Sequence, residues 1–169
     1  ELHVMDESMQ PLPTGQAGEL WFKTAAPFEY LKDAARTQSG RSADGTMSTV
    51  GDVGYVDADG FVYLTDRSTF MIVSSGVNVY PQECENLLIT HPRVMDVAVF
   101  GVPDDEMGEK VVAVVQPVDY AAAGAALADE LLAFAREHLS HVKVPRAMEF
   151  TRELPRHPNG KLYKRLLRD

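Results

Sequence analysis

A chain of 169 residues, 45% of them hydrophobic, suits one ordinary domain or a small domain plus part of another, and excludes global disorder. Its formal charge of −9 argues against nucleic acid or an anionic membrane as the main partner, because a binder of either presents a basic face. The single cysteine excludes an internal disulfide and fits a reducing cytosol. No apolar run approaches the roughly 20 residues that span a bilayer, and no signal-peptide pattern is visible. The expectation is a soluble, cytoplasmic protein with no transmembrane segment.

The chain opens on "ELHVMDESMQPLPTGQAGELWFK" with no initiator Met. "ELHVMD" and "GELWFKT" read as two short antiparallel strands, with the turn residues between them. A start inside a sheet is what a piece of a longer protein would show. Residues 27–48 are polar, with a helical stretch near "YLKDAART" and an exposed loop at "QSGRSADGTMST". "GDVGYVDADGFVYLTDR" alternates on both sides of Asp57-Ala58-Asp59-Gly60, a strong hairpin signal.

"FMIVSSGVNVYP" reads as one buried strand interrupted at Ser74-Ser75-Gly76. Pro81 opens a helix, "PQECENLLITH", in which Cys84 packs at helical spacing from Leu87 and Leu88. "VMDVAVFGV" and "EKVVAVVQPV" are apolar strands joined by the loop "PDDEMG". "AAAGAALADELLAFAREHL" places Leu127, Leu131, Phe134 and Ala135 on one helical face. "VKVPRAMEF" is a strand. The ending "LPRHPNGKLYKRLLRD" is a turn at Pro158-Asn159-Gly160 and a short helix with Leu162, Leu166 and Leu167 inward. From about residue 67 the order is β-β-α-β-β-α-β-α, an α+β domain after a β-rich start.

Few of these residues point to chemistry singly. Asp52 sits between two glycines. It is either a turn residue or a carboxylate able to accept from two vicinal hydroxyls. Arg67 is either a surface partner of Asp66 or Asp59, or a planar fork for a phosphate or ribose. Gly76 marks a bulge or a groove floor for a narrow ligand. Glu83 and Glu85 lie early in a helix, where the dipole accounts for them. The five histidines have no metal-ligand spacing. Lys161 follows a rigid turn, and is either solvated or presented to an anion.

The order of these stretches carries more than any one of them. "GELWF", then "GDVGYVDADGFVYLTDRSTFMIVSSGVNVYPQECE", then "LPRHPNGKLYKR" resembles the C-terminal part of adenylate-forming (AMP-binding) enzymes. These are the acyl-CoA synthetases, firefly luciferases and peptide-synthetase adenylation domains. "GVNVYPQECE" places the likeness in the fatty-acyl and aryl-CoA ligase branch. The resemblance implies that residues 1–66 end an N-terminal adenylation domain's β-rich barrel. Residues 67–169 would be a small mobile C-terminal domain, with a mixed sheet and flanking helices.

It also implies a ligase that activates a carboxylate, a fatty acid in the first instance, with ATP and passes it to CoA. ATP and CoA are then substrates, and Mg2+ is expected through the N-terminal domain. By the same resemblance Asp52 would hold the ribose hydroxyls of ATP or AMP, with Arg67 assisting. Arg67, Ser68 and Thr69 would form the hinge, Ser75 and Gly76 would border the CoA pantetheine tunnel, and Lys161 would be the adenylation lysine.

Thr69, Val73 and Ser75 depart from common family residues, which touches the hinge and tunnel rather than Asp52 or Lys161. The Gly-rich phosphate loop and acyl pocket of the family are not in this sequence, so the chain alone is expected to be inactive and to partner its own N-terminal domain. The apolar surface of such a piece invites self-association. Two other functions stand beside this one: a non-catalytic nucleotide- or protein-binding module, and part of an enzyme that loads a carrier protein.

Overall fold

The computed structural model describes residues 1–23, 25 and 28–168. Thr24 at the end of the second predicted strand, Pro27 at the start of the predicted polar stretch and Asp169 at the chain end lie outside the described residues. The chain divides into two compact units, Glu1–Thr69 and Phe70–Asp169.

The first unit is a five-stranded antiparallel sheet. Its strands are β1 (Leu2–Met5), β2 (Gly18–Lys23), β3 (Met47–Ser48), β4 (Asp52–Val56) and β5 (Val62–Arg67). They lie in the order β1-β2-β4-β5, with β3 added at the end of β2. Leu20, Trp21 and Val53 are buried in it. The β4–β5 turn follows from its residues. The Asp57 carboxylate accepts the Asp59 and Phe61 N–H groups at 3.0 and 2.9 Å, and Gly60 takes a φ of +86°. Across the hairpin Tyr55 stacks on Tyr63 with ring centroids 5.0 Å apart.

Gly54 stands where the β4–β5 register shifts, and a Cβ there would lie 2.3 Å from the Tyr63 carbonyl oxygen. That neighbour is backbone and has nowhere to go. Gly54→Ala is therefore expected to destabilise this unit by about 1–3 kcal/mol through overpacking. Urea unfolding followed by Trp21 fluorescence measures it, and an unmoved midpoint would count against the tight approach. The helix of this unit, α1 (Ala34–Ser39), begins later than the predicted "YLKDAART". Asp33 is the reason: its side chain accepts the Arg36 N–H at 3.0 Å and caps the helix there, leaving Tyr30 to Lys32 outside.

The second unit follows the expected element order. Its elements are β6 (Ile72–Ser74), β7 (Val77–Val79), α2 (Pro81–Leu88), β8 (Val94–Asp104), β9 (Gly108–Pro117), α3 (Ala125–His138), β10 (Ala147–Phe150) and α4 (Arg165–Arg168). The sheet is mixed, because β10 runs parallel to β9 while the other pairings are antiparallel. A parallel neighbour needs a long crossover, and α3 lies within it.

Alternation along β8 and β9 gives the sheet two apolar faces. On one, Val97, Val99, Val111, Ala113 and Val115 pack with Leu88 of α2 and Leu127 and Leu131 of α3. On the other, Ala98, Phe100, Val112 and Val114 pack with Leu154, Leu162 and Leu167 of the C-terminal segment.

Four local expectations need correction. "FMIVSSGVNVYP" is not one interrupted buried strand but a hairpin, β6–β7, reversed at Ser75-Gly76. Both turn residues take positive φ, +50° and +75°, as a two-residue turn of the primed kind requires. Val73 and Val77 face outward while Ile72 and Val79 are buried. The "PDDEMG" loop shrinks to Asp105–Met107, because β8 runs on through Asp104, whose carboxylate accepts the Glu106 and Met107 N–H groups.

In "VKVPRAMEF" the strand begins only at Ala147, after a single 3-10 turn and Pro145. Leu166 is 60% exposed, since a helix of one turn cannot turn both it and Leu167 inward. Among the described residues no helix is long and apolar enough to cross a membrane.

Candidate functional site

The predicted site residues fall in three places. In the first unit, Asp52 opens β4 and Arg67 closes β5, directly opposite one another in the register. Arg67 Nε lies 3.1 Å from Asp52 Oδ1, with both side chains partly open to solvent. The turn into β4 is set by Gly51, whose φ is +81° and whose carbonyl accepts the Ser68 N–H at 2.8 Å. Arg67 and Ser68 also line an open cleft of about 340 Å³ with Glu19, Tyr30, Arg36 and Thr49. A carboxylate and a guanidinium side by side can accept from hydroxyls and donate to a phosphate oxygen. A larger hollow of about 940 Å³ lies over residues 29–45, but its walls, from α1 and the loops on either side of it, include none of the predicted site residues.

In the second unit, Ser75 and Gly76 form the tip of the β6–β7 hairpin, and the Ser75 N–H donates to the Met107 carbonyl at 2.8 Å. Lys161 occupies a separate hairpin near the chain end. The His157 N–H donates to the Lys161 carbonyl, and the Gly160 N–H to the His157 carbonyl, both at 2.8 Å. Gly160 has a φ of +83°, and Asn159 Oδ1 accepts the Lys161 N–H at 3.1 Å.

Behind the turn the His157 and Tyr163 rings stack at 4.0 Å between centroids. Arg156 donates to the Gly160 carbonyl at 2.7 Å and pairs with Asp96 of β8. Among the described residues no acidic partner is found for the Lys161 ammonium. The backbone is held on every side and the cation is left open, which is what stabilising a developing anion asks of a lysine.

The structure thus brings Asp52 and Arg67 together, and keeps Lys161 on a different hairpin from Ser75 and Gly76. It also changes the reading of the early helical glutamates. Glu83 pairs with Lys143 at 2.7 Å on the surface, whereas Glu85 is buried and pairs with Lys164 at 2.7 Å. Cys84, between them, is inert. Burial, with the Glu85 and Glu83 charges, pushes its thiol up to about 12, so no thiolate forms at neutral pH. Among the described residues no group of three or more His, Cys, Asp or Glu could hold a metal ion. The Mg2+ implied by the resemblance finds no ligand set among them.

An α+β unit whose mixed sheet is covered on both faces, with a lysine-bearing turn near its end, matches the small domain of adenylate-forming enzymes. Residues 83–161 match the family model of the AMP-binding enzyme C-terminal domain, and this part of the chain belongs to that family. The whole chain is similar to acyl-CoA ligases. It is 39% identical over 172 residues to crotonobetaine/carnitine–CoA ligase of Proteus sp. (strain LE138), covering 99% of this chain and 32% of that protein.

With the long-chain-fatty-acid–CoA ligase of Salmonella typhimurium the identity is 36% over 180 residues, covering 100% of this chain and 29% of that protein. Among solved structures, the amide bond synthetase McbA from Marinactinospora thermotolerans superposes with a TM-score of 0.84 at 38% identity, over 99% of this chain and 34% of that one. The chain spans about a third of the length of the curated relatives it matches.

Proposed function

We propose that this chain is the C-terminal part of a cytoplasmic ATP-dependent acyl-CoA ligase, which activates a carboxylate to an acyl-adenylate and then transfers the acyl group to CoA. Residues 1–66 are read as the end of the adenylation domain and residues 67–169 as the mobile domain, with Arg67, Ser68 and Thr69 as the hinge. The observation that carries the reading is the Lys161 hairpin, a fixed backbone with an exposed lysine at its tip. In the adenylation step negative charge is shared between the attacking carboxylate and the α-phosphate. A compact cation delivered to that point stabilises it.

In the same reading Asp52 accepts from the ribose hydroxyls and Arg67 supports it, which their 3.1 Å pairing favours. Ser75 and Gly76 border the path of the pantetheine arm. A fatty acid is the acyl substrate, in line with the long-chain ligase among the similar proteins.

The test is carboxylate-dependent ATP–pyrophosphate exchange, across fatty and aryl acids, by this chain and by the longer polypeptide the reading requires. The longer polypeptide is expected to exchange with a fatty acid and this chain alone is not. Exchange by the chain alone would overturn its being a part. Silence of the longer polypeptide with every acid would overturn the ligase reading.

A further inference from the structure

Lys164 Nζ lies 2.7 Å from Glu85 Oε1, and the two side chains are only 9% and 8% exposed. The same carboxylate oxygen accepts the Val99 N–H at 2.7 Å, and the Lys164 ammonium stands 5.1 Å from the centre of the Phe70 ring. Taking both charges out of water offsets most or all of their attraction, and apolar side chains of similar size would hold these segments together at least as well. Stability is therefore a poor account of the pair. Its geometry offers a better one.

In an antiparallel ladder a residue's N–H points to one side, and that of Val99 goes to Glu85, so it faces away from β9. The pair thus sits at the free edge of β8. Glu85 reaches that edge from α2, which packs on one face of the sheet. Lys164 reaches it from the C-terminal segment, which packs on the other. The pair joins the two outer layers around the strand edge. Little slack separates it from Lys161: Leu162 bridges to Arg156, and the Tyr163 N–H donates to the Pro155 carbonyl at 2.8 Å.

We propose that Lys164 and Glu85 are positioning residues that fix where the Lys161 hairpin stands on the domain. The proposal rests on the reading of Lys161 as the adenylation lysine. Neither residue touches the reacting atoms. Each acts by placing the ammonium that does.

The experiment uses the longer polypeptide and two variants. Glu85→Gln/Lys164→Met replaces the charged pair with a neutral one of nearly equal volume. Glu85→Asp keeps the charges but shortens one arm, and serves if the double variant fails to fold. In a folded variant, adenylation kcat is expected to fall by up to about 10²-fold, the effect of misplacing a group by about 1 Å. KM for ATP and CoA transfer from supplied acyl-adenylate should stay unchanged. Amide hydrogen exchange over residues 155–163 should speed up.

A folded variant with wild-type adenylation would overturn the proposal, whatever its exchange pattern. So would unchanged hydrogen exchange, because the hairpin would then not be held by this pair. Should the wild-type polypeptide form no adenylate at all, the ligase reading fails by itself, and hydrogen exchange alone then decides whether the pair fixes the hairpin.

Discussion

On the ligase reading proposed above, replacing Lys161 by alanine in the longer polypeptide is expected to lower the rate of acyl-adenylate formation by about 10²–10³-fold, as removal of one preorganised charge-stabilising donor does elsewhere. Transfer to CoA from supplied acyl-adenylate should be nearly unaffected. The asymmetry comes from where the charge lies. The in-line displacement at phosphorus gathers anionic charge that a nearby ammonium can stabilise, whereas thioester formation displaces AMP and does not need that contact. The fold should be indifferent, because the Lys161 side chain is exposed and its hairpin is held by backbone hydrogen bonds and by Arg156. Single-turnover measurement of each half-reaction checks it. An equal loss in both would mean that Lys161 does not act in adenylation alone.

The second large effect is on stability. Leu131 is fully buried where α3 meets the sheet, among Val97, Val99, Val115 and Leu127. Leu131→Ala leaves a cavity that the rigid sheet cannot close, and is expected to cost about 2–5 kcal/mol. That is a large part of the roughly 5–15 kcal/mol that holds an ordinary domain folded. Urea unfolding by far-UV circular dichroism measures it. A shift worth less than about 1 kcal/mol would mean that the site relaxes far more than close packing allows.

What the sequence shows of this protein is local. The Asp57–Gly60 turn, the Pro158-Asn159-Gly160 turn and the apolar runs of β8 and β9 each carry their own signal within a few residues. The β6–β7 hairpin escapes such a reading because only one of its two left-handed turn residues is a glycine. A serine in that conformation leaves no mark on composition.

Glu85 is hidden for another reason. The helix dipole is a sufficient account of an early glutamate, and it conceals a second fact about this one. Pro81, Cys84, Glu85 and Leu88 are the buried stripe of α2, so Glu85 stands on the apolar face. A carboxylate there needs a cation from elsewhere in the chain. Its partner, Lys164, is distant in sequence and looks like one more basic residue of the tail. The Asp52–Arg67 pair lies between these cases. The hairpin is legible from its turn, but counted straight from the turn Asp52 would face Asp66, and only the one-residue register shift between Val53 and Gly54 sets it opposite Arg67.

Among the ion pairs of the described residues, three hold the C-terminal segment to α2, β8 and β9, and dissolved ions do not act on them alike. Arg156–Asp96 and Arg168–Glu109 are partly open to solvent, while Lys164–Glu85 is not. At 1 M ionic strength the Debye length is about 3 Å, and attraction between exposed charges is largely masked. A buried pair is masked far less. Concentrated salt therefore loosens the two outer ties and leaves the inner one, so the lysine-bearing tip keeps its anchor to the sheet edge while its flanks gain freedom.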